Sequence, residues 1–175
     1  MARSEAITFK GNPMTLVGNE LKVGQQAPDF QLHYFDNGLH TLTLNDLKGK
    51  PSLISVVPSL DTGVCSIQTR TFNSALKDLS NSINAVTVSL DLPFAQGRFC
   101  NENEIQYFRT ASDYQDRNFG TSWGLLIDEL KLLARAVYVL DQNGQVVYAE
   151  IVDEVAKEPN YEAAFDALKG LLAST

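Results

Sequence analysis

Three residues of this 175-residue chain, two cysteines and one arginine, have the types and placement for chemistry. Cys65 closes the stretch Val56-Val57-Pro58-Ser59-Leu60-Asp61-Thr62-Gly63-Val64-Cys65. The apolar, β-branched run Leu53 to Val57 predicts a buried strand, and Pro58, with no N–H for a sheet ladder, stops it. Asp61 or Thr62 then caps a helix whose first turn holds Cys65. A sulfur there meets unpaired backbone N–H groups and the positive end of the helix dipole. Both favour the thiolate, which is the reactive form, so Cys65 is the candidate nucleophile. Asp61 opposes this unless it is occupied as the cap, because a nearby carboxylate disfavours the thiolate. On composition alone a cysteine is more often small buried packing. Placement after a strand, beside Asp61 and Thr62 instead of apolar neighbours, favours chemistry.

Arg135 stands in the apolar run Ala134 to Leu140. A guanidinium cannot shed its charge, so burying it calls for an anion. A carboxylate or an exposed edge position is the commoner answer, and a thiolate meets the same need. Arg70, farther along the Cys65 helix, is a second candidate cation, weighed against an ordinary solvated helix face. Cys100 ends Leu92-Pro93-Phe94-Ala95-Gln96-Gly97-Arg98-Phe99-Cys100 and is either plain packing or a thiol that pairs with Cys65. A phosphatase loop is rejected, because Ser66-Ile67-Gln68-Thr69 continues a helix where an anion cradle needs a glycine-rich turn. Cys65, Cys100, His33 and His40 lack zinc-like spacing. His33 and His40 are expected on one face of a hairpin, but two ligands do not make a metal site. Ser59 and Ser66 have no histidine partner near in sequence.

The elements that position these residues follow from periodicity. Val64, Ile67, Phe72, Ala75, Leu76 and Leu79 give the Cys65 helix its expected buried face. Ala85 to Leu90 predicts a second buried strand, so strand, helix and strand form a right-handed parallel crossover. Open α/β sheets place their chemistry in loops at the carboxyl ends of parallel strands. Pro58–Cys65 and Asp91–Cys100 both follow such ends, which puts the two cysteines at one sheet edge. Hairpins are expected around Lys10–Pro13, Asn37-Gly38 and Asp141–Gly144. Ile105–Phe108 fits a helix end or a short strand, and Tyr114–Trp123 a helix with polar breaks. Pro159-Asn160 starts a final helix with Tyr161, Ala164, Phe165, Leu168, Leu171 and Leu172 inward. This order predicts an α/β, thioredoxin-like fold: a central mixed sheet flanked by helices, extended by an N-terminal β-hairpin in residues 1–20. The Asn37-Gly38 hairpin is expected as a second addition. With no repeat or linker, residues 1–175 are expected to form one domain.

Composition bounds the partners. An apolar fraction of 44% with 20% charged residues is ordinary for a globular chain. A net charge of -7 argues against nucleic acid or an anionic membrane as the main partner. Met1 to Ala6 lacks the apolar core of a signal peptide, and no stretch approaches the ~20 apolar residues of a membrane span. A cytoplasmic location is therefore expected. In a reducing compartment a permanent disulfide between two cysteines is unexpected, whereas a transient one fits.

Several motifs, in order, resemble the peroxiredoxins. Pro58, Thr62 and Cys65 match their Pro-x-x-x-Thr-x-x-Cys pattern. Pro58–Cys65, Gln68-Thr69-Arg70, Asp91–Gln96, Arg98-Phe99-Cys100, Ala134–Val137 and the N-terminal hairpin resemble the bacterial thiol peroxidase branch, the atypical two-cysteine type. Gly124–Leu130 fits that branch least well. The resemblance implies that Cys65 is the peroxidatic cysteine and Cys100 the resolving one, with Pro58, Thr62 and Arg135 forming the pocket. It implies reduction of hydrogen peroxide or alkyl hydroperoxides through a sulfenic acid and a Cys65–Cys100 disulfide, regenerated by thioredoxin. It also implies a homodimer and a reaction that uses no metal, haem or flavin cofactor. The alternative is a peroxide-sensing switch that forms the same disulfide without efficient turnover, and the blandest one an inactive thioredoxin-fold structural protein.

Overall fold

In the computed structural model, which describes residues 1–174, β1 (Ala2–Phe9) and β2 (Asn12–Val17) form an antiparallel hairpin. Lys10 and Gly11 make its turn with φ of 50° and 81°, the positive pair whose twist matches the flanking strands. The first strand reaches back to Ala2 because Ala2 and Arg3 pair with Val17 and Leu16 beyond a register shift. β3 (Gln31–Phe35) and β4 (Leu39–Thr43) pair around Asn37-Gly38 as expected. The chain then passes through β5 (Ser52–Val56), α1 (Gly63–Ala75), β6 (Asn84–Ser89), α2 (Pro93–Glu102) and β7 (Arg109–Ser112). α3 (Asn118–Ser122), β8 (Leu126–Ile127), β9 (Leu132–Leu133), β10 (Ala136–Leu140), β11 (Val146–Ile151) and α4 (Tyr161–Ala173) complete it. Among the described residues no helix is long and apolar enough to cross a membrane.

The main sheet has the order β11-β10-β5-β6-β7-β3-β4, with β5, β6 and β7 parallel and the remaining pairs antiparallel. The β3–β4 hairpin is therefore part of this sheet, joined through His33 opposite Ser112, and not a separate addition. β1 and β2 instead form a small sheet with β8 and β9. The poorly matching segment Gly124–Leu130 is thus where the N-terminal hairpin docks.

Strand alternation divides the core in two. Leu53, Val137 and Val139 join Phe72 and Leu76 of the α1 region and Ala164 and Leu168 of α4 on one face. Ile54, Val56, Val86, Val88 and Tyr138 meet Phe119, Trp123 and the hairpin residues Ile7 and Leu16 on the other. Trp123 sets its edge against Tyr138, with ring centroids 5.0 Å apart. At the start of α4 the Asn160 side chain accepts from the Ala163 N–H at 3.1 Å, as its N-cap position favours.

Two helices differ from the periodicity reading. α1 buries Cys65, Gln68, Thr69, Phe72 and Asn73, while Ile67 is 41% exposed. Polar residues occupy the inward face because each finds a partner. Gln68 donates to Ser55 Oγ at 2.8 Å, Thr69 to the Cys65 carbonyl at 2.9 Å, and Asn73 Oδ1 accepts from the Gln106 and Tyr107 N–H groups. The second difference is α2, a segment placed by sequence only after a strand end and helical from Pro93, a residue whose fixed φ suits the first helical position. Cys100 consequently lies ~10 Å along a helix axis from Pro93, and not at the sheet edge with Cys65.

Asp113, at the end of β7, accepts from the N–H groups of Phe119 and Gly120 at 3.0 and 2.7 Å and so anchors α3 beneath Trp123. Burial pushes its carboxyl up to about 6 against the pull of those N–H donors. The folded protein thus holds this proton more tightly than the unfolded chain does. The stabilisation is full below the unfolded value and declines as pH rises through about 6. Asp113→Ala is expected to lose about 1–3 kcal/mol by leaving buried donors unpaired. In urea titrations the gap to wild type should narrow between pH 4 and pH 7. A gap that widens over that interval contradicts this assignment.

Candidate active site around Cys65

The site starts where β5 ends. The Val57 N–H still bonds the Val88 carbonyl at 3.0 Å, and buried Pro58 then turns the chain out of the sheet. Asp91 fixes the loop that follows. Its carboxylate accepts from Ser59 Oγ at 2.7 Å, from the Leu60 N–H at 2.8 Å and from Ser89 Oγ at 2.7 Å. Thr62 occupies the N-cap of α1 with extended backbone (φ −93°, ψ 150°), but no side chain caps the helix. The Thr62 hydroxyl donates instead to the Ser59 carbonyl at 3.1 Å, and Asp61 is exposed. The first-turn N–H groups are left without a side-chain acceptor, so the helix end keeps its positive character.

Cys65 is wholly buried among Val57, Leu60 and Phe99. Arg135, only 2% exposed, reaches its sulfur from immediately ahead of β10. The guanidinium makes three donations: Nη2 to Cys65 Sγ at 3.2 Å, Nη1 to Gln68 Oε1 at 2.9 Å, and Nε to the Val155 carbonyl at 2.8 Å. Among the described residues the one ion pair is Lys131 with Asp128 on the surface. Arg135 therefore has no carboxylate. Of its three acceptors two are neutral oxygens, and the sulfur alone can take a full negative charge. The guanidinium stands on one side of that sulfur, and the sulfur itself sits in the first turn at the N-terminus of α1.

Arg70 plays no such part: it is exposed and its Nε donates to the Ser66 carbonyl of its own helix at 3.4 Å. His33 and His40 fall on opposite faces of their hairpin, since His33 opposes Thr41 while His40 opposes Tyr34. Among the described residues no cluster of His, Cys, Asp and Glu converges as metal ligands would. Cys100 is a free, half-buried thiol whose Sγ lies 3.6 Å from Thr110 Oγ1. Burial raises its ionisation above the ordinary 9.0, with the Thr110 hydrogen bond opposing. The two sulfurs thus occupy separate surroundings, although Phe99, next to Cys100, packs on the Cys65 cluster.

Sequence reasoning overlooked Gln68 and Asp91. Gln68 carried one signal, a polar residue one turn after Cys65 in a helix read by its apolar spacing. It links the arginine to the sheet, accepting from Arg135 and donating to Ser55. Asp91 carried the other, a lone carboxylate at the end of a buried strand.

Known proteins of similar sequence and fold identify the family of the chain. Residues 22–165 match the Redoxin family. The chain is 54% identical over 166 residues to a thiol peroxidase of Bacillus subtilis (strain 168), covering 95% of this chain and 98% of that one. A thiol peroxidase of Halalkalibacterium halodurans is 52% identical over 167 residues, covering 95% and 99%. A crystal structure of a peroxiredoxin-like protein from Aquifex aeolicus superposes with a TM-score of 0.88 at 39% identity, covering 95% of this chain and 97% of that one. A thiol peroxidase from Chromobacterium violaceum, at 20% identity and a TM-score of 0.84 with 97% and 98% covered, shares the fold. The chain belongs to the Redoxin family and is a peroxiredoxin enzyme of thioredoxin-like fold.

Gln68→Leu removes the acceptor of Arg135 Nη1 and the donor to Ser55 without emptying the site. The expected loss is about 2–4 kcal/mol, because one of the orphaned groups is a buried cation. A urea midpoint that drops with an unchanged m-value checks this. An unmoved midpoint contradicts it.

Proposed function

We propose that the chain is a thiol-specific peroxidase in which Cys65 attacks hydrogen peroxide or an alkyl hydroperoxide. The observation that carries this reading is Arg135 Nη2 on Cys65 Sγ at 3.2 Å, with no carboxylate on the guanidinium. The Cys65 thiolate forms a bond to the terminal peroxide oxygen as the O–O bond breaks. The departing oxygen takes a proton and leaves as water or alcohol, and the sulfur becomes a sulfenic acid. Negative charge moves from sulfur to the leaving oxygen, so donors placed along that line lower the barrier. Arg135 supplies one. Thr62 supplies a second by releasing the Ser59 carbonyl, since a hydroxyl has a single proton to give. Pro58 screens the sulfur from bulk water.

Cys100 then attacks the sulfenic acid, expelling water and closing a Cys65–Cys100 disulfide. Disulfide geometry needs Cα atoms within roughly 7 Å, while the two thiols now have separate neighbours. The first turn of α1 or the last turns of α2 must therefore unwind. A thioredoxin-type dithiol restores both thiols by exchange. Sulfur supplies both electrons throughout, so the cycle requires no metal, haem or flavin. A reducing cytoplasm suits a disulfide that exists only within the cycle, and a homodimer is what the family resemblance implies.

In a coupled assay with hydroperoxide, thioredoxin, thioredoxin reductase and NADPH, wild type is expected to consume NADPH continuously. Cys65→Ser should abolish this, and Arg135→Lys should slow the peroxide step by about 10²–10³-fold. Cys100→Ser should keep one fast oxidation and lose thioredoxin-supported turnover. Peptide mapping should join Cys65 to Cys100, and hydrogen exchange should quicken in α1 or α2 of the oxidised form. A single stoichiometric oxidation of wild type, with no sustained consumption, would instead identify a sensor.

A further inference from the structure

Outside the Cys65 site, a groove of about 1180 Å³ lies between α2 and the β3–β4 hairpin, floored by the start of β7. Three of its features belong together. Cys100 lines it, whereas Cys65 does not. Its rim carries two of the exposed large apolar side chains, Phe35 at 47% and Phe94 at 61%, with ring centroids 5.2 Å apart. Its charge also opposes that of the whole chain. The sequence holds 21 acidic against 14 basic residues, yet Arg98 and Arg109 face Asp36 as the groove's only charged side chains. Arg109 lies over the Tyr34 ring with its Cζ 3.9 Å from the centroid, and Arg98 is exposed on α2.

We infer that this groove is where the reducing dithiol protein docks, by an apolar contact on Phe35 and Phe94 and an acidic margin on Arg98 and Arg109. The inference rests on the peroxidase reading above. A small dithiol needs only a reachable sulfur, but a protein needs a surface beside it. Of the two half-cystines, Cys65 comes from a wholly buried position and Cys100 from this groove. The attacking thiolate of the partner bonds to Cys100 Sγ, the Cys65–Cys100 bond breaks, and Cys65 leaves as a thiolate beside Arg135. The partner's second thiol then attacks the mixed disulfide, releasing Cys100 and carrying away the disulfide. Two electrons pass from the partner to the cysteine pair. Exposed aromatic anchors with opposite charge at the rim are what such a transient contact uses. The net charge of -7 would otherwise repel an acidic partner.

The test runs one peroxidase assay with two reductants, thioredoxin with its reductase and NADPH, and dithiothreitol. Phe94→Ser and Arg98→Glu are expected to raise the KM for thioredoxin by about five- to tenfold. The rate with dithiothreitol and the single-turnover oxidation by peroxide should stay at wild-type values. The wild-type KM should also rise with salt, and less steeply in Arg98→Glu. Thioredoxin KM values unmoved in both variants would overturn the docking site and leave the peroxidase reading standing. So would equal losses with both reductants, or a wild type that turns over with dithiothreitol but not with thioredoxin. Concentration-dependent self-association that Phe94→Ser abolishes would overturn it too, by assigning the groove to a second copy of the chain. A wild type inactive with either reductant would overturn the peroxidase reading itself, and the docking site with it.

Discussion

A buried guanidinium with a sulfur where a carboxylate would be expected is the constraint on which this structure turns. Removing such a charge from water costs several kcal/mol unless its donors are all met. Here each of its three nitrogens finds one acceptor: one carbonyl, one amide oxygen and one thiol. Sheet register makes the meeting possible. Ala136, the first residue of β10, pairs with Val56, the last of β5. Because these strands are antiparallel, the start of one lies against the end of the other. Arg135 is thereby delivered to the edge from which the Cys65 loop departs. A parallel neighbour would have placed its first residue at the opposite edge of the sheet.

A second anchor holds the other side of that loop. Asp91 takes three hydrogen bonds on its carboxylate, two from the loop and strand serines and one from the Leu60 N–H, and its own carbonyl accepts from Ser112. Bonds to a charged acceptor are stronger than neutral ones, which suits a segment that must present a sulfur in one geometry. Asp91 also immediately precedes the N-cap of α2, the helix that carries Cys100. The two cysteine-bearing elements therefore share one tether. In the proposed cycle, holding the dithiol geometry and permitting disulfide closure are opposed requirements, and both bear on this residue.

Much of this was legible in the sequence, and what was not shares a physical reason. The strand ending at Pro58, the helix start before Cys65 and the Asn37-Gly38 and Asp141–Gly144 turns are local signals, and local interactions decide them. The phase of α1 was misjudged because apolar spacing assumes that polar residues face water. Gln68, Thr69 and Asn73 face inward, each bound to a partner outside the spacing pattern. Asp91–Cys100 is placed by sequence only as the segment after a strand end, while its helix starts at Pro93, a position where proline lacks nothing the helix needs. The partner of Arg135 is a different matter. It lies 70 positions away, and only strand register decides between a carboxylate and a sulfur. The histidines show the same dependence in miniature, since the pairing of one hairpin put His33 and His40 on opposite faces.

Two thiols of one chemistry are given different work by their surroundings. Cys65 has a guanidinium beside it and sits in the first turn of α1. Cys100 lies half-buried with a neutral hydroxyl for company, and burial disfavours charge there. In thiol exchange the sulfur that better bears charge is the better leaving group. In the proposed Cys65–Cys100 disulfide the cationic donor stands at Cys65, which fits cleavage with Cys65 departing and Cys100 under attack. The sulfur best able to leave is the one closed to solvent, and the one to be attacked lines the open groove. Electrostatics and access thus favour the same direction of cleavage. In the proposed cycle, the arrangement that makes Cys65 the first nucleophile also makes it the last group released.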